Sequence, residues 1–271
     1  MDRFAYNLIF SRKNSFKYKN IDYVFVDEIS MVSSKFIKVL LSLKYYNPDI
    51  KFIISGDFYQ IPPVKDNTTK LVSRSKALYE LVDGNMCNLT ICKRSNHELF
   101  DICEKVKHGK NIDISVFNNK ESNLNICFTN KKRIEINQQC NERYIKETGV
   151  KFININILPY DDNSQPYKLY KGIPLISRLN IKKYNVYNNE FYNVKEWNKE
   201  YVVVKNELNE VKLSINDIPR MFNVGYCITT HKSQGETFQE PYTIYEWKKM
   251  DSTLRYVSLS RSTNKDFINI I

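Results

Sequence analysis

The sequence predicts an α/β protein built on parallel sheets in two domains, the second carrying a small antiparallel β module. Three observations lead to this fold class. An apolar strand, an amphipathic helix and a second apolar strand follow one another within residues 21–55. A strand followed by a helix returns at 123–148. Between about 165 and 218 the pattern changes to short alternating runs separated by Asn-rich turns. Strand, helix, strand in that order makes a right-handed crossover and a parallel sheet, whereas alternation between close turns makes antiparallel strands.

In chain order, IDYVFV (21–26) is apolar and β-rich and ends at Asp27-Glu28. So continuous an apolar run reads as a parallel strand buried on both faces. Ser33-Ser34 supplies a cap for a helix whose apolar Phe36, Ile37, Val39, Leu40 and Leu43 recur at helical spacing, and Asn47-Pro48-Asp49 breaks it. IKFIIS (50–55) is the second strand and ends at Gly56-Asp57. NLNICFT (123–129) is a strand and residues 131–148 an amphipathic helix. VYNNEFYNVKEW and EYVVVKN belong to the β module. GYCITT (225–230) returns to a buried strand, with a helical segment from about 232, and YVSLS (256–260) reads as a last strand.

Composition narrows the function classes. The 271 residues suffice for about two domains with their own cores. With 42% hydrophobic and 26% charged residues the chain is globular rather than disordered. A net charge of +11 favours a polyanionic partner, of which nucleic acid is the usual one. Asn, Lys, Ile and Tyr are abundant, a bias of AT-rich coding that by itself raises lysine. No apolar run approaches the ~20 residues of a membrane span. The opening MDRFAYNLIFSRKNSFKYKN lacks the apolar core and small-residue cleavage site of an export signal. The 6 cysteines form no C-x-x-C pair and are expected to be free thiols in a reducing compartment. Cys92, His97, Cys103 and His108 have spacings that fit no common zinc pattern. The protein is therefore expected to be soluble and intracellular, with no membrane partner.

Both acidic turns close strands at their carboxyl ends, where open parallel sheets bind ligands. Asp27 and Glu28 are adjacent carboxylates of the kind magnesium–nucleotide chemistry uses: one holds Mg²⁺, the other orients and deprotonates the attacking water. Alone, such a pair is more often a solvated turn. GDFYQIPPV (56–64) is more specific: Asp57 opens the turn, the neutral amide of Gln60 is suited to sense a γ-phosphate, and Pro62-Pro63 stiffens the exit. Thr230, His231, Lys232, Ser233, Gln234, Gly235 and Glu236 put a cation, hydroxyls, an amide and a glycine into one turn at a helix start. Backbone N–H groups and hydroxyls there hold phosphate oxygens of nucleotide or DNA. Arg261, read at a strand end after Ser260, could reach a phosphate across a cleft as an arginine finger does. Arg94 is a second candidate cation.

Together these segments resemble superfamily-one helicases of the RecD/PIF branch. VFVDEISMV resembles their Walker B motif, GDFYQIPPV the third motif, LTICKRSN the fourth, TTHKSQGETF the fifth and YVSLSRST the sixth. ICFTNKKRIEINQQCN is similar to the strand and helix that open the second RecA-like domain. LYKGIPLISRLN and VYNNEFYNV are similar to a small SH3-like β insertion. The likeness runs from about 21 to 264 in the family's order. Two departures stand out: Ser95 follows Arg94 where the family usually has Gln, and Asn188-Asn189 replaces a frequent Asn-Gly.

The resemblance implies tandem RecA-like (P-loop NTPase) domains with parallel sheets. Residues 1–95 would be the remainder of a truncated first domain, and 96–271 a second with the SH3-like β insertion at about 165–218. It implies ATP as substrate, Mg²⁺ as cofactor and single-stranded DNA as partner, with movement 5′ to 3′. ATP would lie between the domains and the strand would cross both. By the same resemblance Asp27 binds Mg²⁺, Glu28 activates water, Gln60 couples the γ-phosphate to domain movement, and Arg94 and Arg261 stabilise the developing charge. Asp57, Gln234, Gly235 and Glu236 fall on the nucleotide side, and Thr230, His231, Lys232 and Ser233 on the DNA side. The phosphate-binding G-x-x-x-x-G-K-[ST] of the family occurs nowhere in the 271 residues. The chain is accordingly expected to be a fragment, a split gene or a degenerate copy, inactive alone. Two other readings stay open: a non-catalytic nucleic-acid-binding remnant, or one subunit of a split helicase whose P-loop sits on a separate chain. An RNA helicase of the same superfamily is disfavoured by HKSQG.

Overall fold

The computed structural model describes residues 21–63, 75–156 and 164–271. Val64 of the Pro-Pro loop and the opening twenty residues lie outside them. The chain divides into two units, Met1–Lys93 and Arg94–Ile271.

In the first unit β1 (Tyr23–Val26) and β2 (Lys51–Ile54) pair in parallel, with Val26 opposite Ile54. The crossover is α1 (Ser34–Tyr46), capped by Ser33, whose side chain accepts from the Phe36 N–H at 3.4 Å. Ile37, Leu40 and Leu43 of α1 are buried with Val26 and Phe52, and α2 (Lys76–Leu81) adds Leu78 and Leu81. Burial of each such side chain stabilises by ~1.5–3 kcal/mol. The expectation of strands buried on both faces is corrected. Tyr23, Phe25 and Ile53 are 58%, 72% and 47% exposed. Successive strand residues point to opposite faces, and α1 covers only the face that carries Val26 and Phe52.

The second unit opens with α3 (His97–Lys107), capped by Asn96. β3 (Leu124–Cys127) then leads into α4 (Asn130–Thr148), capped by Thr129 and ended by Gly149 in the left-handed region at φ 62°. Next come β4 (Ile153–Ile155), β5 (Tyr167–Leu169), β6 (Pro174–Ser177), β7 (Phe191–Trp197), β8 (Tyr201–Lys205) and β9 (Glu210–Ser214). After them stand α5 (Ile218–Met221), β10 (Phe222–Val224), β11 (Cys227–Thr229), α6 (Thr230–Ser233), β12 (Tyr242–Ile244), α7 (Ser252–Leu259) and β13 (Ile268–Ile270). A four-stranded parallel sheet runs in the order β11-β3-β12-β13, and a five-stranded antiparallel sheet in the order β10-β6-β7-β8-β9. β4 and β5 form a separate antiparallel pair. The antiparallel module thus extends a little past the expected 218, through β10. Its turn at Asn188-Asn189 places Asn189 at φ 75°, a conformation glycine adopts freely and asparagine tolerates.

One expected strand is wrong. Residues 256–259 lie in α7, Ser260 is its C-cap, and the last strand is β13. Asp251 caps α7 by accepting from the Leu254 N–H at 2.8 Å, and Leu254, Val257 and Ser258 are buried at helical spacing. Ser258 is the polar member of that buried face. Its hydroxyl lies 3.0 Å from that of Thr230, so a polar residue faces the interior. Among the described residues no cysteine forms a disulfide, no helix is long and apolar enough to cross a membrane, and no three metal-ligating side chains cluster.

Candidate nucleotide and nucleic-acid site

The register of β1 against β2 brings two strand ends together. Val26 pairs with Ile54, so Asp27 emerges beside Ser55. Ser55 Oγ donates to Asp27 Oδ1 at 2.6 Å, and the Glu28 N–H donates to the same oxygen at 2.9 Å. The Ser55 hydrogen bond, then the Glu28 N–H, hold this exposed carboxyl below the usual carboxylate range. Among the described residues its second oxygen accepts no hydrogen bond. Glu28 takes the left-handed conformation, φ 50° and ψ 51°, and its Oε2 is buried with no hydrogen-bond partner. Strain at one residue and an orphaned carboxylate oxygen on the same side chain are features of a functional position.

Ser55→Ala is expected to move the Asp27 titration up toward the ordinary carboxylate value. A folded-state pKa held low contributes stability that is present above the unfolded value and lost as pH falls through the folded one. Carboxyl-carbon NMR of Asp27 reads this directly; an unmoved titration would remove Ser55 from the site.

Gly56 closes the turn at φ 147°. A Cβ there would sit 2.7 Å from the Ile29 nitrogen and 3.3 Å from the Glu28 carbonyl carbon. The close approach lets the Ile29 N–H reach the Ser55 carbonyl at 3.0 Å. Gly56→Ala should therefore destabilise the first unit by about 2–4 kcal/mol, read as a lower urea midpoint for that unit. An unchanged midpoint would mean that the approach can relax. Asp57 Oδ1 accepts from the Tyr59 N–H at 2.9 Å and the Gln60 N–H donates to the Asp57 carbonyl at 3.0 Å. Gln60 is thus held on a tight turn one strand from Glu28, partly exposed.

The second unit brings the other candidates together. Arg94 is exposed, and its Nη1 donates to the Ser260 carbonyl at 3.2 Å. Arg261 stands after α7 rather than at a strand end and is 1% exposed. Its Nε donates to the Val257 carbonyl at 3.0 Å and its Nη2 to Ser260 Oγ at 2.9 Å. Nη1 donates to the Ser233 and Glu236 carbonyls at 3.4 and 3.2 Å. The expected open finger is in this structure a strut that pins the 233–236 turn to the end of α7.

The turn itself divides. Thr230 and Ser233 are fully buried, which corrects their expected exposure to a ligand. The Thr230 hydroxyl is within 3.3 Å of the Cys127 carbonyl, and Ser233 Oγ donates to the Thr230 carbonyl at 2.9 Å. His231 is exposed and Lys232 half-buried, so these two remain for a partner. Gly235 is exposed at φ 89°, Gln234 and Glu236 are partly buried, and burial raises the Glu236 carboxyl while Arg261 opposes the rise.

Ser55 was missed in the sequence, although a hydroxyl just before Gly56-Asp57 and in register with Asp27 is a readable signal. Glu246 was also missed. It accepts from the Thr129 N–H at 2.9 Å and fixes the start of α4, through an acceptor 117 residues away that local spacing could not reveal.

The parallel sheets and the antiparallel insertion make this a tandem RecA-like fold. No protein-family model matches the chain. The ATP-dependent DNA helicase Pif1 of Campylobacter jejuni is 24% identical over 316 aligned positions, covering 93% of this chain and 70% of the relative. The Pif1 helicase of Bacteroides bound to single-stranded DNA superposes with a TM-score of 0.69 at 18% identity, covering 96% of this chain and 73% of that one. The Pif1 helicase of Candida albicans gives 0.67 at 18% identity over 96% and 74%. In fold and in sequence the chain is similar to PIF-type superfamily-one helicases.

Proposed function

We propose that this chain carries the water- and metal-handling residues of an ATP-driven motor that moves on single-stranded DNA. The observation that carries the reading is the Asp27–Glu28 turn, with one carboxylate fixed and ionised beside Ser55 and the next holding a buried oxygen without a partner. The named activity of the Campylobacter relative and the strand bound in the Bacteroides structure support the same substrates here.

The donor set fits Mg²⁺, which takes one or two carboxylates and completes its shell with water and phosphate oxygens. Asp27 would hold it through the oxygen that Ser55 leaves alone. The ion supplies charge neutralisation of the phosphates. Glu28 would accept the proton of the attacking water at Oε2. Gln60 would sense the γ-phosphate, with Asp57 shaping its turn. Arg94, being exposed, is the readier of the two arginines to stabilise developing charge, since Arg261 would first have to leave its carbonyls. His231 and Lys232 would meet the DNA backbone, and Gln234, Gly235 and Glu236 would link that contact to nucleotide. The 271 residues contain no P-loop motif, so the chain by itself is proposed to bind DNA without turnover. The comparisons lend no support to a separate P-loop-bearing chain.

The test is fluorescence anisotropy of labelled oligothymidylate with the purified chain. Binding is expected to be weak and to fall steeply with salt, with a log–log slope near −0.7 per phosphate contacted. Absence of binding, or affinity unchanged by salt, would remove the nucleic-acid reading.

A further inference from the structure

Where α3 ends and α7 begins, the second unit holds a cleft of about 240 Å³ that the nucleotide and strand chemistry leaves unused. Its wall is apolar at Val106, Ile112 and Ile114 and basic at Lys110, Lys248 and Arg255. Both sides are fixed by backbone hydrogen bonds. Helix α3 ends with Gly109 at φ 72°; the Gly109 N–H donates to the Val106 carbonyl and the Lys110 N–H to the Lys105 carbonyl, each at 2.9 Å. This pair of bonds satisfies the last carbonyls of the helix and turns the chain into the 110–114 segment. On the other side, Arg255 donates from Nε to the Trp247 carbonyl at 3.1 Å and from Nη2 to the Lys248 carbonyl at 3.5 Å. Its guanidinium lies 5.3 Å from the centre of the Trp247 ring, which is 6% exposed. Arg255 is thereby held still, and among the described residues its Nη1 donates to no acceptor.

The carboxylates of the same segments are engaged elsewhere. Asp113 accepts from the Ser115 N–H and hydroxyl, and Asp251 from the Leu254 N–H. Glu104 faces Lys107 and His108, and Glu246 holds Thr129 and Lys249. Among the described residues none forms an ion pair with Lys110, Lys248 or Arg255, and both lysines are exposed. Three cations therefore stand around one apolar hollow, at whose edge Ile114 is 38% exposed. The hollow is smaller than the ~300–1,000 Å³ of pockets that enclose a cofactor or small molecule, and it has room for one side chain. A nucleic-acid backbone would match the cations but leave the apolar wall uncovered. An acidic peptide matches both, with an apolar anchor in the hollow and charges complementary to its rim. We infer that this cleft takes an acidic peptide segment of a partner protein. One aliphatic or aromatic side chain enters against Val106, Ile112 and Ile114, and flanking carboxylates meet Lys110, Lys248 and the free Nη1 of Arg255.

The probe is a fluorescein-labelled peptide with one leucine between two pairs of aspartates, titrated with the purified full chain and followed by anisotropy. Companion peptides carry serine for the leucine or asparagines for the aspartates, and each should bind about fivefold more weakly. The double variant Lys110→Gln/Lys248→Gln and the single variant Ile114→Ser should each lower affinity for the parent peptide by about fivefold. All three positions are exposed, so the melting temperatures should match the wild type. That pattern supports the cleft. Equal binding of the leucine and serine peptides, or an Ile114→Ser variant that binds as the wild type does, overturns it, because charge alone then holds the peptide. Absence of peptide binding, or binding untouched by the lysine changes, also overturns it. An oligothymidylate arm covers the other polyanion: if the lysine variant loses oligothymidylate affinity while its peptide binding stays, a nucleic acid is the occupant and the peptide inference falls.

Discussion

Replacing Arg261 by alanine will lower the stability of the second unit by about 3–5 kcal/mol. The side chain is 1% exposed and gives its donors to three backbone carbonyls and one hydroxyl. Deleting it opens a cavity and strands the carbonyls of Val257, Ser233 and Glu236 away from water. For a unit of this size such a loss lowers the melting temperature by on the order of 10 °C. Arg261→Lys keeps one charge but not the planar fork, so it can satisfy only part of the set and should fall between. The two roles of this residue separate cleanly. A finger that waits in solvent is worth ~10³–10⁵ in rate and little in stability; a strut is worth stability whether or not nucleotide is present. Calorimetry of the chain without ligand decides it, and an alanine variant that melts with the wild type would return Arg261 to the role of a free finger.

The same residue illustrates what was legible in the sequence. β1, α1 and β2 were readable because hydrophobic period and caps agree: Ser33 caps where expected, and the strands end at Val26 and Ile54, just before Asp27 and Ser55. The meeting of Asp27 with the end of β2 was readable too, because two carboxylates follow one apolar run and a second apolar run ends in a turn of its own. What was not readable depends on contacts distant in sequence. Arg261 owes its burial to carbonyls 25 and 28 residues upstream. The segment 256–260 reads as an apolar strand, yet Leu254, Val257 and Ser258 are buried at helical spacing and Ser258 faces Thr230, a contact 28 residues away in sequence. Thr230 and Ser233 looked like ligand hydroxyls, yet they stitch α6 to β3 and to itself. Phe25 sits in a run apolar enough for two buried faces, but only one face has a described helix against it.

Purified 1–271 should release phosphate from magnesium–ATP no faster than its Glu28→Gln variant, with or without single-stranded DNA. On the proposed reading the site residues would act late on the nucleotide: Asp27 would hold the metal, Glu28 the water, Gln60 the γ-phosphate, and Arg94 the developing charge. None of them replaces a row of backbone N–H groups and a lysine around the β- and γ-phosphates, and no G-x-x-x-x-G-K-[ST] occurs in the 271 residues. Without that cradle the triphosphate keeps much of its charge unmatched. The attacking water then has no fixed phosphorus to face, and positioning of this kind accounts for about 7–11 kcal/mol of a barrier. In a longer chain that supplies a P-loop segment, the same Glu28→Gln change should cost ~10²–10⁴ in rate while nucleotide binding persists, because the amide keeps the shape of the carboxylate but cannot take the proton. The comparison is DNA-stimulated phosphate release from the two lengths, each beside its Glu28→Gln variant. Magnesium-dependent turnover by the 271-residue chain that disappears in Glu28→Gln would show that these residues bind and orient the triphosphate by themselves.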